Sequence, residues 1–239
     1  MDIIHKPLST GGRLTADSSG IRCFFPERRL ALSTSLFNGG YRLVEGIFNH
    51  HLSFYVDTEQ ELPGGSLNAY MEQVARQYQL VPALTTGLIT AAKMSSMAHG
   101  ALSYKDLTVE AITTAGTSHN AVRAGEPACY YEENGQYHPI AGTINIMVIV
   151  NAAIPEGSLA KAIITVTEAK TAALTELGVP SCYTAQTATG TGTDGVIIVA
   201  SPDADLRCAD TGTHSKLGEL LARVVGETVK KSLALAGDV

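Results

Sequence analysis

Lys170 stands where a helix wants a leucine. Over Ser158 to Leu177, a turn of about 100° per residue puts Leu159, Ile163, Val166, Ala173, Leu174 and Leu177 on one stripe. Lys170 falls near the centre of that stripe, while Glu168 points the opposite way. An unpaired ammonium is costly to bury, so this lysine must meet a carboxylate, give up its charge through a lowered pKa, or carry its stem to a wet helix end. The first two outcomes suit proton transfer in an active site.

A carboxylate is on offer in Thr187-Ala188-Thr189-Gly190-Thr191-Gly192-Thr193-Asp194-Gly195, where Asp194 sits among glycines at the entrance to a strand. Backbone N–H groups of such a run can cradle an anion, and its hydroxyls can bind polar ligand groups; it can equally be an ordinary loop. It is not a dinucleotide fingerprint, because it precedes its strand instead of following one into a helix, and no Gly-Lys-Ser/Thr completes a nucleoside-triphosphate loop. Thr113-Thr114-Ala115-Gly116-Thr117-Ser118-His119-Asn120-Ala121 gathers hydroxyls, an imidazole and an amide. These types supply a nucleophile, a base and an oxyanion donor, though adjacent residues do not all face one atom, and Ser and Asn also serve local turn bonds. Gly142-Thr143-Ile144-Asn145 adds another hydroxyl and amide at a strand start.

Metal chemistry finds weaker support. His50 and His51 are consecutive in a strand and so face apart, and Asp203, Asp205, Cys208, Asp210 and His214 match no established ligand spacing. No metal and no cofactor are expected. Cys23, Cys129, Cys182 and Cys208 are far apart with no C-x-x-C pair, which suits reduced thiols.

The elements that must hold these groups follow from pattern and punctuation. Ile21 to Phe25 and Leu30 to Leu36 read as strands around a turn at Pro26 to Arg29, and Tyr41 to Leu52 as another strand. Leu67, Met71, Val74 and Tyr78 mark a helix capped by Ser66. Leu107 to Thr113, Thr143 to Val150 and Val196 to Ala200 are strands, with helices from Ser158 to Leu177 and from Ser215 to Ala236, closed by Gly178 and Gly237. The expected fold is therefore α/β, tending to α+β: one domain over 1–239, a mixed β-sheet or sheets with packed helices, a strand-rich first half and a β-α-β-α second half. A formal charge of -6 gives no basic footprint, so neither nucleic acid nor an anionic membrane is an expected partner. No run approaches a membrane span and no signal-like N-terminus is seen, which places the protein in the cytoplasm as an expectation.

Five segments together resemble the adenosylcobinamide amidohydrolase (CbiZ) family in order and spacing: Asn38-Gly39-Gly40, 113–121, 142–145, Thr165-Val166-Thr167-Glu168-Ala169-Lys170-Thr171-Ala172-Ala173, and 188–194. The resemblance implies hydrolysis of the amide that joins the aminopropanol arm to the corrin ring of adenosylcobinamide, releasing adenosylcobyric acid and 1-amino-2-propanol. The corrinoid is then substrate and not cofactor, and its size implies a broad cleft that a second subunit of a homo-oligomer would help complete. Residue roles come from chemistry. Lys170, Asp194, Asn145, Thr143 and Glu168 form the expected catalytic set, with Lys170 beside Asp194 handling the proton. Thr114, Gly116, Ser118, His119, Asn120, Thr189, Gly190, Thr191, Gly192 and Thr193 form the expected substrate-binding set. Asn145, Asn120 and threonine hydroxyls would hold the carbonyl, and the nucleophile is water or the hydroxyl of Thr143, Thr114 or Ser118. A corrinoid-binding protein without activity, or an amidohydrolase or peptidase for another substrate, would carry the same loops.

Overall fold

Seven consecutive residues, Ile144–Val150 (β8), are all buried, which requires a strand covered on both faces. The computed structural model, which describes residues 2–54, 56, 58–127 and 143–239, shows how. Gly142 and Cys129 lie outside the described residues.

Strand β8 pairs antiparallel with Leu107–Ala115 (β7) and parallel with Gly195–Ala200 (β9), and Ala98–Tyr104 (β6) continues beyond β7. On the other side β9 meets Gly20–Ser33 (β3), whose Leu30–Ser33 end pairs with it while its Gly20–Phe24 end pairs with Arg13–Asp17 (β2). Gly40–His51 (β4) runs along the opposite edge of β3, Thr85–Thr90 (β5) lies parallel to β4, and Ile4–Pro7 (β1) pairs with β2. One long strand thus serves two sheet halves. The hinge is a register shift between Phe24 and Arg29. Pro26, which has no N–H to give a ladder, sits in that irregular stretch, so Pro26 to Arg29 is a bulge inside one strand and not the turn its composition suggests.

Alternation along the strands assigns the layers. Ile144, Ile146, Val148 and Val150 of β8 and Val196, Ile198 and Ala200 of β9 pack with Leu159, Val166 and Leu174 of Glu156–Leu177 (α2) and Leu221, Val225 and Val229 of Lys216–Ala236 (α3). The alternate residues Met147, Ile149, Ile197 and Val199 instead meet Leu14, Ile21, Ile47 and Leu88 from the other half-sheet. The far face of that half-sheet, with Phe48, receives Met71 and Val74 of Leu67–Gln77 (α1). The result is helix on sheet on sheet on helix, a mixed sheet with three helices among the described residues. None of these helices is long and apolar enough to cross a membrane.

Helix boundaries follow their caps. Ser66 and Ser215 accept from Ala69 N and Gly218 N, and Gly178 and Gly237 end α2 and α3 with left-handed φ of 65° and 78°. Cys23 and Cys208 are free, and burial pushes the thiol of Cys23 up; Cys182 is free and exposed.

One carboxylate is sealed in this core. Glu110 of β7 is 0% exposed and accepts hydrogen bonds from Ser9 N at 3.0 Å, Thr10 N at 2.8 Å and Thr10 Oγ1 at 2.5 Å, with His99 Nε2 at 3.2 Å. Burial alone would raise its pKa, but the bonds from His99, Thr10 and Ser9 outweigh it and hold the carboxyl down to about 2 from 4.5. Because the folded-state value lies below the unfolded one, the stability it lends is complete above pH 4.5 and is lost as pH falls from there towards 2. That difference is worth about 3 kcal/mol. Glu110→Gln is expected to lower the urea midpoint at pH 7 and to flatten the acid limb of the stability curve in that window. An acid limb identical to that of the unaltered protein would remove Glu110 from this role.

Candidate functional site

The starts of β8 and β9 lie side by side, with Asn145 opposite Gly195, and the end of β7 adjoins them through Thr114 opposite Asn145. Helix α2 lies over this end of the sheet and brings Lys170 to Asp194, the residue before β9. Lys170 Nζ donates to Asp194 Oδ2, and the two side chains are only 10% and 14% exposed. Of the outcomes open to a lysine on an apolar stripe, the structure adopts the carboxylate-paired one.

Asp194 is gripped from three further directions. Ile144 N donates to Oδ1 at 3.1 Å, Thr191 Oγ1 to Oδ1 at 2.5 Å and Thr191 N to Oδ2 at 3.3 Å. Thr191 of the glycine-rich run thus gives its N–H and its hydroxyl to the chain's own carboxylate, Asp194, while the N–H groups of Thr189 and Gly190 go to the Val122 carbonyl. Gly190 presses on the pair so closely that a Cβ there would stand 2.7 Å from Lys170 Nζ and closer still to Asp194 Oδ2. Gly192, at φ +77°, supplies the left-handed turn between Thr191 and Thr193.

On the other face of the strands, three buried side chains join the two sheet halves. Asn49 of β4 donates from Nδ2 to Thr114 Oγ1 at 2.8 Å, and Asn145 Nδ2 donates to Asn49 Oδ1 at 2.8 Å and to the Ile89 carbonyl at 2.9 Å. Both N–H bonds of Asn145 are thereby committed, so it cannot also donate to an oxyanion as expected. Its remaining group is an acceptor: Thr143 Oγ1 lies 3.3 Å from Asn145 Oδ1 and donates to the Thr193 carbonyl at 2.7 Å. The segment 143–145 links the two clusters, since Ile144 N serves Asp194 while its neighbours Thr143 and Asn145 serve the amide network.

The other expected residues divide. Gly116 N donates to the Thr143 carbonyl at 3.1 Å, Asn120 is buried nearby in sequence, and Thr189 accepts from Ala124 N at 2.8 Å through Oγ1. Ser118 and His119 are exposed. Glu168 is also exposed, on the solvent face of α2 with Thr167, Thr171 and Glu176, because two residues from Lys170 is about 200° around the helix. The structure thus does not bring Glu168 to the Lys170–Asp194 pair, and its expected catalytic place is withdrawn. His50 is no metal ligand here: its ring nitrogens meet Tyr78 Oη at 2.8 Å and Tyr70 Oη at 2.7 Å, and burial pushes its pKa down to about 4. Asp210 is likewise engaged, with Lys161 Nζ at 2.7 Å. Asn38 donates to the carbonyls of Pro82 and Thr85 and so braces loops away from the pair.

Two contributors escaped the sequence reading. Asn49 carries a signal in retrospect: it shares the inward parity of Ile47 on β4, and an amide at an inward strand position needs a buried partner. Asp238, which accepts from Thr117 N at 2.5 Å and Thr117 Oγ1 at 3.1 Å, carries none, since only folding brings the chain's last residues to that loop.

The sequence model of the adenosylcobinamide amidohydrolase family matches residues 8–238. The chain is 33% identical over 229 residues to an uncharacterized protein of Methanocaldococcus jannaschii, covering 87% of this chain and 83% of that protein. It is 30% identical over 223 residues to the adenosylcobinamide amidohydrolase of Methanosarcina mazei, covering 87% of this chain and 92% of that enzyme. Among solved structures, a protein of Pyrococcus horikoshii OT3 aligns with a TM-score of 0.47 at 9% identity, over 97% of this chain and 83% of that one.

Proposed function

Because this chain belongs to the adenosylcobinamide amidohydrolase family, and is thereby a hydrolase of amide bonds, we propose that its substrate is adenosylcobinamide and that the Lys170–Asp194 end of the sheet is where hydrolysis occurs. The products are adenosylcobyric acid and 1-amino-2-propanol. The observation that carries this reading is a buried ammonium–carboxylate pair bound to the backbone N–H of Ile144, the residue that follows Thr143 in the chain. Amide hydrolysis needs a nucleophile, a positive or hydrogen-bonding partner for the developing oxyanion, and a proton for the departing amine. In this reading the Thr143 hydroxyl attacks the amide carbonyl to form an ester, and the hydroxyl proton is passed through the Lys170–Asp194 pair to the departing amine as the C–N bond breaks. Water then releases cobyric acid from the ester and restores Thr143.

Thr143 is preferred over the alternatives on contacts. The Thr114 oxygen accepts from Asn49 and is wholly buried, and Ser118 is exposed. Incubating the protein with adenosylcobinamide is expected to release free 1-amino-2-propanol in step with cobyric acid. Release from simple aliphatic amides but not from adenosylcobinamide would overturn the corrinoid assignment and leave the amidohydrolase one standing.

A further inference from the structure

At the end of β9 away from Asp194, a buried cation forms no ion pair with any of the described residues. Arg29 of β3 is 9% exposed; it donates from Nη1 to Ser201 Oγ and from Nη2 to the Thr10 carbonyl at 3.1 Å, with its guanidinium 5.5 Å from the Phe25 ring centre. Both hydrogen-bond acceptors are neutral, and Arg29 forms no ion pair among the described residues. Among the described residues its Nε makes no hydrogen bond. Burial pushes its pKa down, and Glu27 is the acid that acts against this.

Arg29 lines a cavity of about 230 Å³ together with Thr10, Arg28, Asn151, Ser201 and Asp203 among others. That is room for several waters or one small ligand. The neutral polar side chains on its wall are committed, Ser201 through its bond to the Val150 carbonyl. Thr10 gives its N–H and hydroxyl to Glu110, and Asn151 accepts from Thr108 N and donates to the Asp106 carbonyl. Arg28 sits on the exposed rim, paired with Glu45 at 3.2 Å. The unspent donor capacity on its wall is that of two guanidiniums, the desolvated one of Arg29 and the rim one of Arg28, and the guanidinium fork suits a planar or tetrahedral oxyanion.

We infer that this cavity is a second binding site, for a small oxyanion of the carboxylate or phosphate class, anchored by Arg29. It is separate from the catalytic end, because the length of β9 puts about 20 Å between them. Glu27 and Asp203, both exposed on its wall, oppose an anion and keep its binding weak.

The test uses the intact protein, titrated with inorganic phosphate or with acetate against chloride at equal ionic strength and pH, and followed by thermal unfolding and calorimetry. A saturable rise in Tm with either anion is expected, and which of the two acts identifies the ligand's source. Arg29→Met is expected to abolish the rise, whereas Asp203→Asn is expected to shift the midpoint to a several-fold lower anion concentration. Absence of a saturable effect from both anions, or an effect that survives Arg29→Met, would overturn the site. Should Arg29→Met fail to fold, Asp203→Asn decides alone. A destabilised protein with unchanged anion response would mean that Asp203 itself serves as the counter-ion of Arg29.

Discussion

Lys170→Met is expected to lower amide turnover by about 10²- to 10⁴-fold while leaving the protein folded. Methionine matches the apolar stripe of α2 in length and flexibility, so packing against the sheet survives and the ammonium alone is lost. Breaking a buried pair by removing one partner ordinarily costs about 3 to 5 kcal/mol, because the other charge is stranded. Asp194 is not fully stranded here, since Ile144 N and both donors of Thr191 still hold it. The loss of stability should therefore fall at the low end of that range. Turnover of adenosylcobinamide and the urea midpoint separate the two effects: a well-folded variant that releases aminopropanol at the unaltered rate takes lysine out of the reaction.

That Lys170 would need a partner was legible in the sequence because helical period is a strong signal, and a cation inside an apolar stripe is a conflict that only a partner resolves. The partner, Asp194, was legible more weakly, from its place among glycines at a strand entrance. Helix ends were legible for the same local reason, with Ser66 and Ser215 at the starts and Gly178 and Gly237 at the ends. What the sequence concealed is mostly non-local. Pro26 signals a turn by type, yet here it occupies a bulge whose pairing depends on three other strands. Ala98–Tyr104 contains glycine and histidine and alternates poorly, so β6 emerges only once β7 offers an edge. The bond from Asn49 to Asn145 spans two half-sheets, and no spacing within either segment announces it. Glu168 was within reach of the same helical phase that singled out Lys170, and that phase had already turned it to solvent.

Thr143→Val tests the nucleophile, and its expected effect is larger still, a loss of at least about 10³-fold in turnover. Valine keeps the branched shape at 4% exposure but removes the hydroxyl that reaches the Thr193 carbonyl and Asn145 Oδ1. Leaving those acceptors without a donor costs about 1 to 3 kcal/mol of stability, which the remaining core can absorb. Thr143→Ser restores an attacking oxygen on the same backbone and is expected to keep turnover within about tenfold of the unaltered protein. Ser118→Ala, at an exposed position, is expected to change little. The three variants discriminate because the rival readings order them differently. If Ser118 were the nucleophile, the alanine variant would lose turnover and Thr143→Val would not. If water attacked directly, both would keep it, and the role of segment 143–145 would shrink to holding Asp194 in place through Ile144 N.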